Sequence, residues 1–247
     1  MKIGMIGYGK AGSAVASILQ QDPRYQLEWI ATRTGMPQVV GLGGRDVPVI
    51  ALHPASFGDW IDAHPVDALV DFSNATSVAV YGDHVKRLGL MLVTAISSYD
   101  EKQLDGIRAL GAYARVLCSP NITVGINFLI MAAKLLREIA PFADVEILEQ
   151  HFREKPEVSG TAKKIAQSLL VDDEKIISMR LGGIVGHHEV IFGFPHQTVR
   201  LIHESIRREA FGTGAAFALS ELQNYDKGFY TFDDLLMRRV RKHLAAA

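Results

Sequence analysis

His151 and Lys155 stand four residues apart in the polar stretch 149–162, which also holds Ser159, Gly160 and Thr161. An imidazole titrates near neutrality and can hand over a proton, while a nearby ammonium supplies a fixed cation. The Ser-Gly-Thr turn opens a helical pattern over 162–170. The first N–H groups of a helix have no partner within it and carry the positive end of its dipole, so this turn suits a carboxylate. Proton donor, cation and anion clamp thus fall in one short loop. The plain alternative is a surface loop with an ordinary Ser/Thr cap.

A second constellation opens the chain. Gly7, Gly9 and Gly12 form a G-x-G-x-x-G pattern between an apolar run, 1–6, and a helical pattern that ends near Pro23. The first glycine permits a tight turn, the second lets backbone approach a pyrophosphate, and the third allows close helix–strand packing. About 20 residues past such glycines, a site for NAD holds the ribose with an acid. Thr32, Arg33 and Thr34 occupy that place, and a guanidinium pairs well with a 2′-phosphate. The pattern therefore leans to NADPH over NADH. Gly186-His187-His188-Glu189 tempts a metal reading, but neighbours on a strand point to opposite faces, so we expect no metal.

These residues need elements to hold them. Apolar runs at 1–6, 27–31, 65–72, 90–94 and 115–118 alternate with helical patterns at 14–23, 78–88 and 100–113, the rhythm of a parallel sheet. Ser73 and residues 95–98 then fall at strand ends, on the crevice edge. The glycine-rich segment 41–47 reads as a mobile loop. Ser119-Pro120-Asn121 breaks the rhythm. Beyond it come a helix over 125–139, a strand over 145–148, strands over 175–180, 184–192 and 199–205, and a helix over 211–222. The fold class is α/β, an N-terminal Rossmann dinucleotide-binding domain with a second α+β domain. We place the first domain at 1–121 and 208–247 and the second at 122–207.

Composition narrows the partners. With 26 Lys and Arg against 27 Asp and Glu in 247 residues, the electrostatic footprint of a nucleic-acid binder is missing. No apolar run approaches the ~20 residues of a membrane span. The single cysteine, Cys118, and an N-terminus without signal-peptide architecture fit a cytoplasmic protein.

The motifs, taken in order, resemble the 4-hydroxy-tetrahydrodipicolinate (dihydrodipicolinate) reductases of lysine and diaminopimelate biosynthesis. The likeness runs through the glycine pattern, Val70-Asp71-Phe72-Ser73, the segment 121–127, Glu146-Ile147-Leu148-Glu149-Gln150-His151, Ser159-Gly160-Thr161-Ala162, the segment 182–189, and the tail 228–235. The resemblance implies an NAD(P)H-dependent oxidoreductase acting on a small dicarboxylate. His151 becomes the proton donor at an imine and Lys155 its helper, with Ser159, Gly160, Thr161 and Ser97 on the substrate. It puts Gly7, Tyr8, Gly9, Lys10, Ala11 and Gly12 on the cofactor, with Ala95, Ile96, Ser97, Ser119, Pro120, Asn121 and Ile122, and the spacing and the strand end add Arg33 and Ser73. It also implies a homotetramer built through the second domain's sheet.

Three departures stand out. Phe152 replaces the second of two consecutive histidines, the lysine-to-Ser-Gly-Thr spacing is one residue shorter, and a Gly-Thr-Thr-Gly turn becomes Ala95-Ile96-Ser97-Ser98. They leave two alternatives open, a divergent paralogue reducing another imino or amino acid and a non-catalytic NADP-binding sensor.

Overall fold

Ile3, Met5 and Ile6 are fully buried, as are Leu69, Val70, Leu92 and Val93, because a parallel sheet is covered on both faces. The computed structural model describes residues 1–36 and 38–245. Its chain order begins β1 (Lys2–Ile6), α1 (Lys10–Gln21), β2 (Gln26–Thr32), β3 (Val39–Leu42), β4 (Arg45–Ala51), α2 (Pro54–Ala63), β5 (Ala68–Asp71) and α3 (Val78–Leu88). Next come β6 (Met91–Thr94), α4 (Glu101–Leu110) and β7 (Arg115–Cys118). Then follow α5 (Val124–Ile139), β8 (Asp144–His151), α6 (Gly160–Leu169), β9 (Ile176–Arg180), β10 (Gly186–Phe194) and β11 (Gln197–Ser205). The chain closes with α7 (Glu209–Leu222), β12 (Gly228–Tyr230) and α8 (Phe232–Leu244).

Two units result, Met1–Thr123 with the segment from Phe211 onward, and Val124–Ala210. The last two residues of the expected segment 208–247 lie outside the described residues. In the first unit the strands run in the order β12-β7-β6-β5-β1-β2-β4-β3. All neighbours are parallel except β3 with β4. The unit is Rossmann-like. From β1 the chain winds outward through β2 and β4, then crosses back to β5 on the other side of β1, so a crevice opens at the carboxyl ends of β1 and β5.

Segment 41–47 corrects one expectation, being the turn and inner part of a hairpin. Gly43 and Gly44 take φ of 56° and 79°, the left-handed pair that a two-residue turn between antiparallel strands demands. Val47 and Val49 anchor β4 in the core. The closing tail carries β12 and α8. In it Thr231 and Asp234 form a reciprocal capping box that starts α8.

The second unit is a four-stranded sheet ordered β11-β10-β8-β9, antiparallel except for β8 with β9. Val145, Ile147, Val190 and Phe192 on its inner face pack with Ile126, Leu129 and Ile130 of α5 and with Ile165 and Leu169 of α6. β10 begins at Gly186, two residues later than expected. Gly182, at φ 47°, and the hydrogen bond from Ile184 N to Leu181 O make a turn of the segment before it.

Candidate active site

Side chains alternate along a strand, so β8 points Val145, Ile147, Glu149 and His151 to the buried face. Apolar residues cover the first part of that face and polar ones its carboxyl end. Glu149 is fully buried. Its Oε1 accepts from Ser178 Oγ at 2.7 Å, Arg180 Nη2 at 2.9 Å and Ser159 N at 3.2 Å. Its Oε2 accepts from Arg180 Nη1 at 3.1 Å and from His151 Nδ1 at 2.5 Å. Burial alone would raise the carboxyl's pKa. The hydrogen bonds from Arg180, Ser178, His151 and the Ser159 N–H outweigh it and hold the pKa at about 2. His151 feels the reverse balance. Burial lowers its pKa, Glu149 pulls it back up, and the charges of Lys155 and Arg180 add to the lowering.

Arg180 does more than neutralise Glu149. Its Nε donates to Lys155 O at 3.0 Å and its Nη2 to Glu157 O at 2.7 Å, so one guanidinium ties the end of β9 to the loop after His151. Leu181 N donates to His151 O at 2.9 Å, which fixes the strand end itself. Lys155 is half-buried in that loop, close enough for its charge to act on the imidazole. Ser159 caps α6 by accepting from Ala162 N, and its hydroxyl also lies 2.8 Å from His188 Nε2. With its N–H on Glu149, Ser159 is engaged inside the loop. Gly160 is the exposed part of the turn, and a Cβ there would meet nothing within 4 Å. Thr161 is half-buried beside it.

His188 shares the inner face with Glu149, its partner in the β10–β8 ladder. Burial, with the charges of His151 and His203, pushes its pKa down to about 3, so it is neutral at pH 7. His187 points the other way and pairs with Glu204 at 3.0 Å. Among the described residues no cluster of three His, Cys, Asp or Glu could hold a metal ion. Phe152 is partly exposed in the loop.

The first unit presents a cavity of about 410 Å³ at the β1/β5 switch point, lined by Gly7, Tyr8, Gly9, Thr32, Arg33, Thr34, Ser73 and Asn74 among others. Gly7 takes φ 91°, and a Cβ on it would lie 2.8 Å from Phe72 O. A Cβ on Gly12 would come within 2.5 Å of Gly7 O, whereas one on Gly9 would meet nothing within 4 Å. Backbone is thus packed tightly beneath and open above. With no acid in the first turn of α1, which Lys10 and Ala11 begin, the cradle fits the phosphates of a dinucleotide. Beneath Ser73, the fully buried Asp71 accepts from Ser73 N at 2.8 Å, Ser73 Oγ at 2.5 Å and Tyr81 Oη at 2.6 Å. Burial raises the Asp71 pKa despite these bonds. Ala95, Ile96 and exposed Ser97 follow β6, and Ser119, Pro120, Asn121 and Ile122 follow β7. They share the carboxyl edge of the sheet but do not line this cavity.

The sequence brought His151, Lys155 and the Ser-Gly-Thr turn together by proximity alone, and it did not single out Glu149, Ser178, Arg180 or His188 as their supports. Glu149 had one available signal, a carboxylate two residues before a histidine on a strand, hence on the same face. The other three arrive from β9 and β10 through strand pairing.

Comparison with known proteins gives a consistent result. The family model described as dihydrodipicolinate reductase, N-terminus, matches residues 1–122, and that described as dihydrodipicolinate reductase, C-terminus, matches residues 121–236. A 4-hydroxy-tetrahydrodipicolinate reductase of Thermosipho africanus is 31% identical over 171 residues, covering 69% of this chain and 78% of the relative. That of Caldanaerobacter subterraneus subsp. tengcongensis is 26% identical over 253 residues, covering 93% and 95%. Among solved structures, a dipicolinate-bound dihydrodipicolinate reductase from Paenisporosarcina sp. TG-14 superposes with a TM-score of 0.77 at 20% identity, covering 94% of this chain and 97% of that one.

Proposed function

Since the chain belongs to the dihydrodipicolinate reductase family, we propose that it reduces 4-hydroxy-tetrahydrodipicolinate with NAD(P)H, in the cytoplasm, as a step of lysine and diaminopimelate synthesis. The observation that carries this reading is His151, buried against an ionised Glu149 beside Lys155 and the opening turn of α6. A bound nicotinamide supplies the hydride. The backbone N–H groups of Gly160 and Thr161, at the positive end of α6, hold a substrate carboxylate. Protonated His151 releases the proton that quenches negative charge developing on the reduced imine, and Lys155 stabilises that charge electrostatically. Ser159 shapes the turn for the carboxylate, and Ser97 offers a hydroxyl to substrate and cofactor.

Residues 7–12, Ser73, Ala95, Ile96, Ser97 and 119–122 bind the cofactor in this proposal. Arg33, on the cavity wall where an acid would repel a 2′-phosphate, favours NADPH. Exposed Ile177, Met179 and Ile202 on the outer face of the second unit's sheet support assembly of a homotetramer through that face. Residues 1–121 with 208–247 act as the cofactor domain and 122–207 as the substrate and oligomerisation domain.

A second reading is a paralogue reducing another imino or amino acid, which Phe152 favours. It removes a donor that would meet a substrate carboxylate, and an unpaired buried carboxylate is costly. A coupled assay with freshly made 4-hydroxy-tetrahydrodipicolinate and each nicotinamide cofactor decides between them. Turnover is expected, faster with NADPH. Activity only on other imines would select the paralogue, and tight cofactor binding without turnover on any imine would select a sensor.

A further inference from the structure

We propose that Glu149, locked in place by Arg180 and Ser178, is the positioning residue that makes Nε2 of His151 the only ring atom able to gain and lose the catalytic proton. The catalytic part of this inference rests on the reductase reading, while the positioning part stands on geometry alone. Both carboxylate oxygens of Glu149 are engaged, and the atom facing His151 Nδ1 is an acceptor. A carboxylate can only accept, so Nδ1 carries a proton in both the neutral and the cationic imidazole. Titration is thereby confined to Nε2. A Cβ on Gly186 would come within 3.3 Å of that nitrogen, so the glycine leaves room beside Nε2. The groups acting on the ring come from every side: Glu149 on β8, Arg180 on β9, His188 on β10 and Lys155 in the loop. Only Glu149 among them accepts a hydrogen bond from it in the described structure.

Arg180 couples the ring to the rest of the site. Because the same guanidinium binds Glu149, Lys155 O and Glu157 O, the proton donor and the loop carrying Lys155 share one anchor.

The test is a 15N NMR titration of the imidazoles in the full-length protein, which needs no substrate, followed by pH–rate profiles. The wild type is expected to show a protonated Nδ1 and a titrating Nε2 for His151. In Glu149→Gln the loss of the carboxylate charge should lower the His151 pKa by about one unit or more and mix the tautomers. Its kcat should fall about 10-fold or more, with the KM for NADPH unchanged. Glu149→Asp keeps a charge for Arg180 and withdraws it by one methylene, and serves if the Gln variant does not fold. It should likewise mix the tautomers. A protonated Nδ1 and wild-type titration in whichever variant folds would overturn the proposal. If the tautomer changes as expected but the wild type never reduces 4-hydroxy-tetrahydrodipicolinate, the positioning role holds and the reductase reading is the one that fails.

Discussion

Asp71 and Glu149 are both fully buried carboxylates at the carboxyl end of a strand, both accept hydrogen bonds from a serine, and they titrate in opposite directions. Asp71 has two hydroxyls and one backbone N–H around it, which do not compensate for lost water, so its pKa rises. Glu149 has a guanidinium on both oxygens, and its pKa falls to about 2. The main difference is one cation, with the N–H groups of His151 and Ser159 beside it. It suits each carboxylate to its place. Asp71 ties Ser73 and Tyr81 together under the crevice that we assign to the cofactor, while Glu149 holds a permanent charge against the imidazole that we assign to proton transfer.

The largest effect that can sharpen this comparison is on turnover. His151→Gln should lower kcat by roughly 10²–10⁴-fold with the Tm nearly unchanged and NADPH binding kept. A loss of thermal stability that tracks the loss of activity would make His151 structural instead. On stability the two carboxylates should separate. Glu149→Gln should cost about 3 kcal/mol at pH 7, the low end for breaking a buried pair, because Arg180 keeps some contact with solvent. Asp71→Asn should cost less, since no cation is left unpaired.

The pH dependence carries the same sign difference. Glu149's stabilisation is present above the ordinary carboxylate value near 4.5 and is lost as pH falls toward about 2. Asp71 behaves inversely, contributing stability when protonated and losing it as pH rises from its ordinary value near 3.8 through its raised one. Denaturant melts of the wild type and the two variants from pH 2 to pH 7, read as each variant's difference from the wild type, check this. Parallel curves for both would break the comparison. The smallest effect lies in the crevice: Arg33→Ala should raise the KM for NADPH several-fold and leave that for NADH nearly unchanged. Equal changes would remove Arg33 from the site.

The two regions also differ in how much of each was legible in the sequence. The crevice is made of backbone, and its glycines are spaced within six residues, so the pattern itself announces the geometry that Gly7 and Gly12 then display. The hairpin at 39–51 shows the opposite error. Glycines at 43 and 44 looked like looseness but supply the positive φ of a tight turn. At the other site, the loop from His151 to Thr161 was readable because it is contiguous. Arg180 was not, since it reaches Glu149 only once β9 pairs in parallel with β8 across the whole of α6. Ser178 was hidden for the same reason, and His188 because it meets Glu149 only through the antiparallel pairing of β10 with β8. A buried ionised Glu predicts that some cation exists, but strand pairing alone says which one.

The most direct test of the central claim is the pH dependence of kcat/KM for the wild type and for His151→Gln, measured with NADPH and freshly made 4-hydroxy-tetrahydrodipicolinate. An acid must be protonated to act, so activity should fall as pH rises through the His151 pKa. Because burial lowers that pKa, the falling limb should lie below the ordinary imidazole value of 6.5. The limb should disappear in the variant. A wild-type profile flat through that range, or the same limb surviving in His151→Gln, would contradict the assignment of His151 as the proton donor.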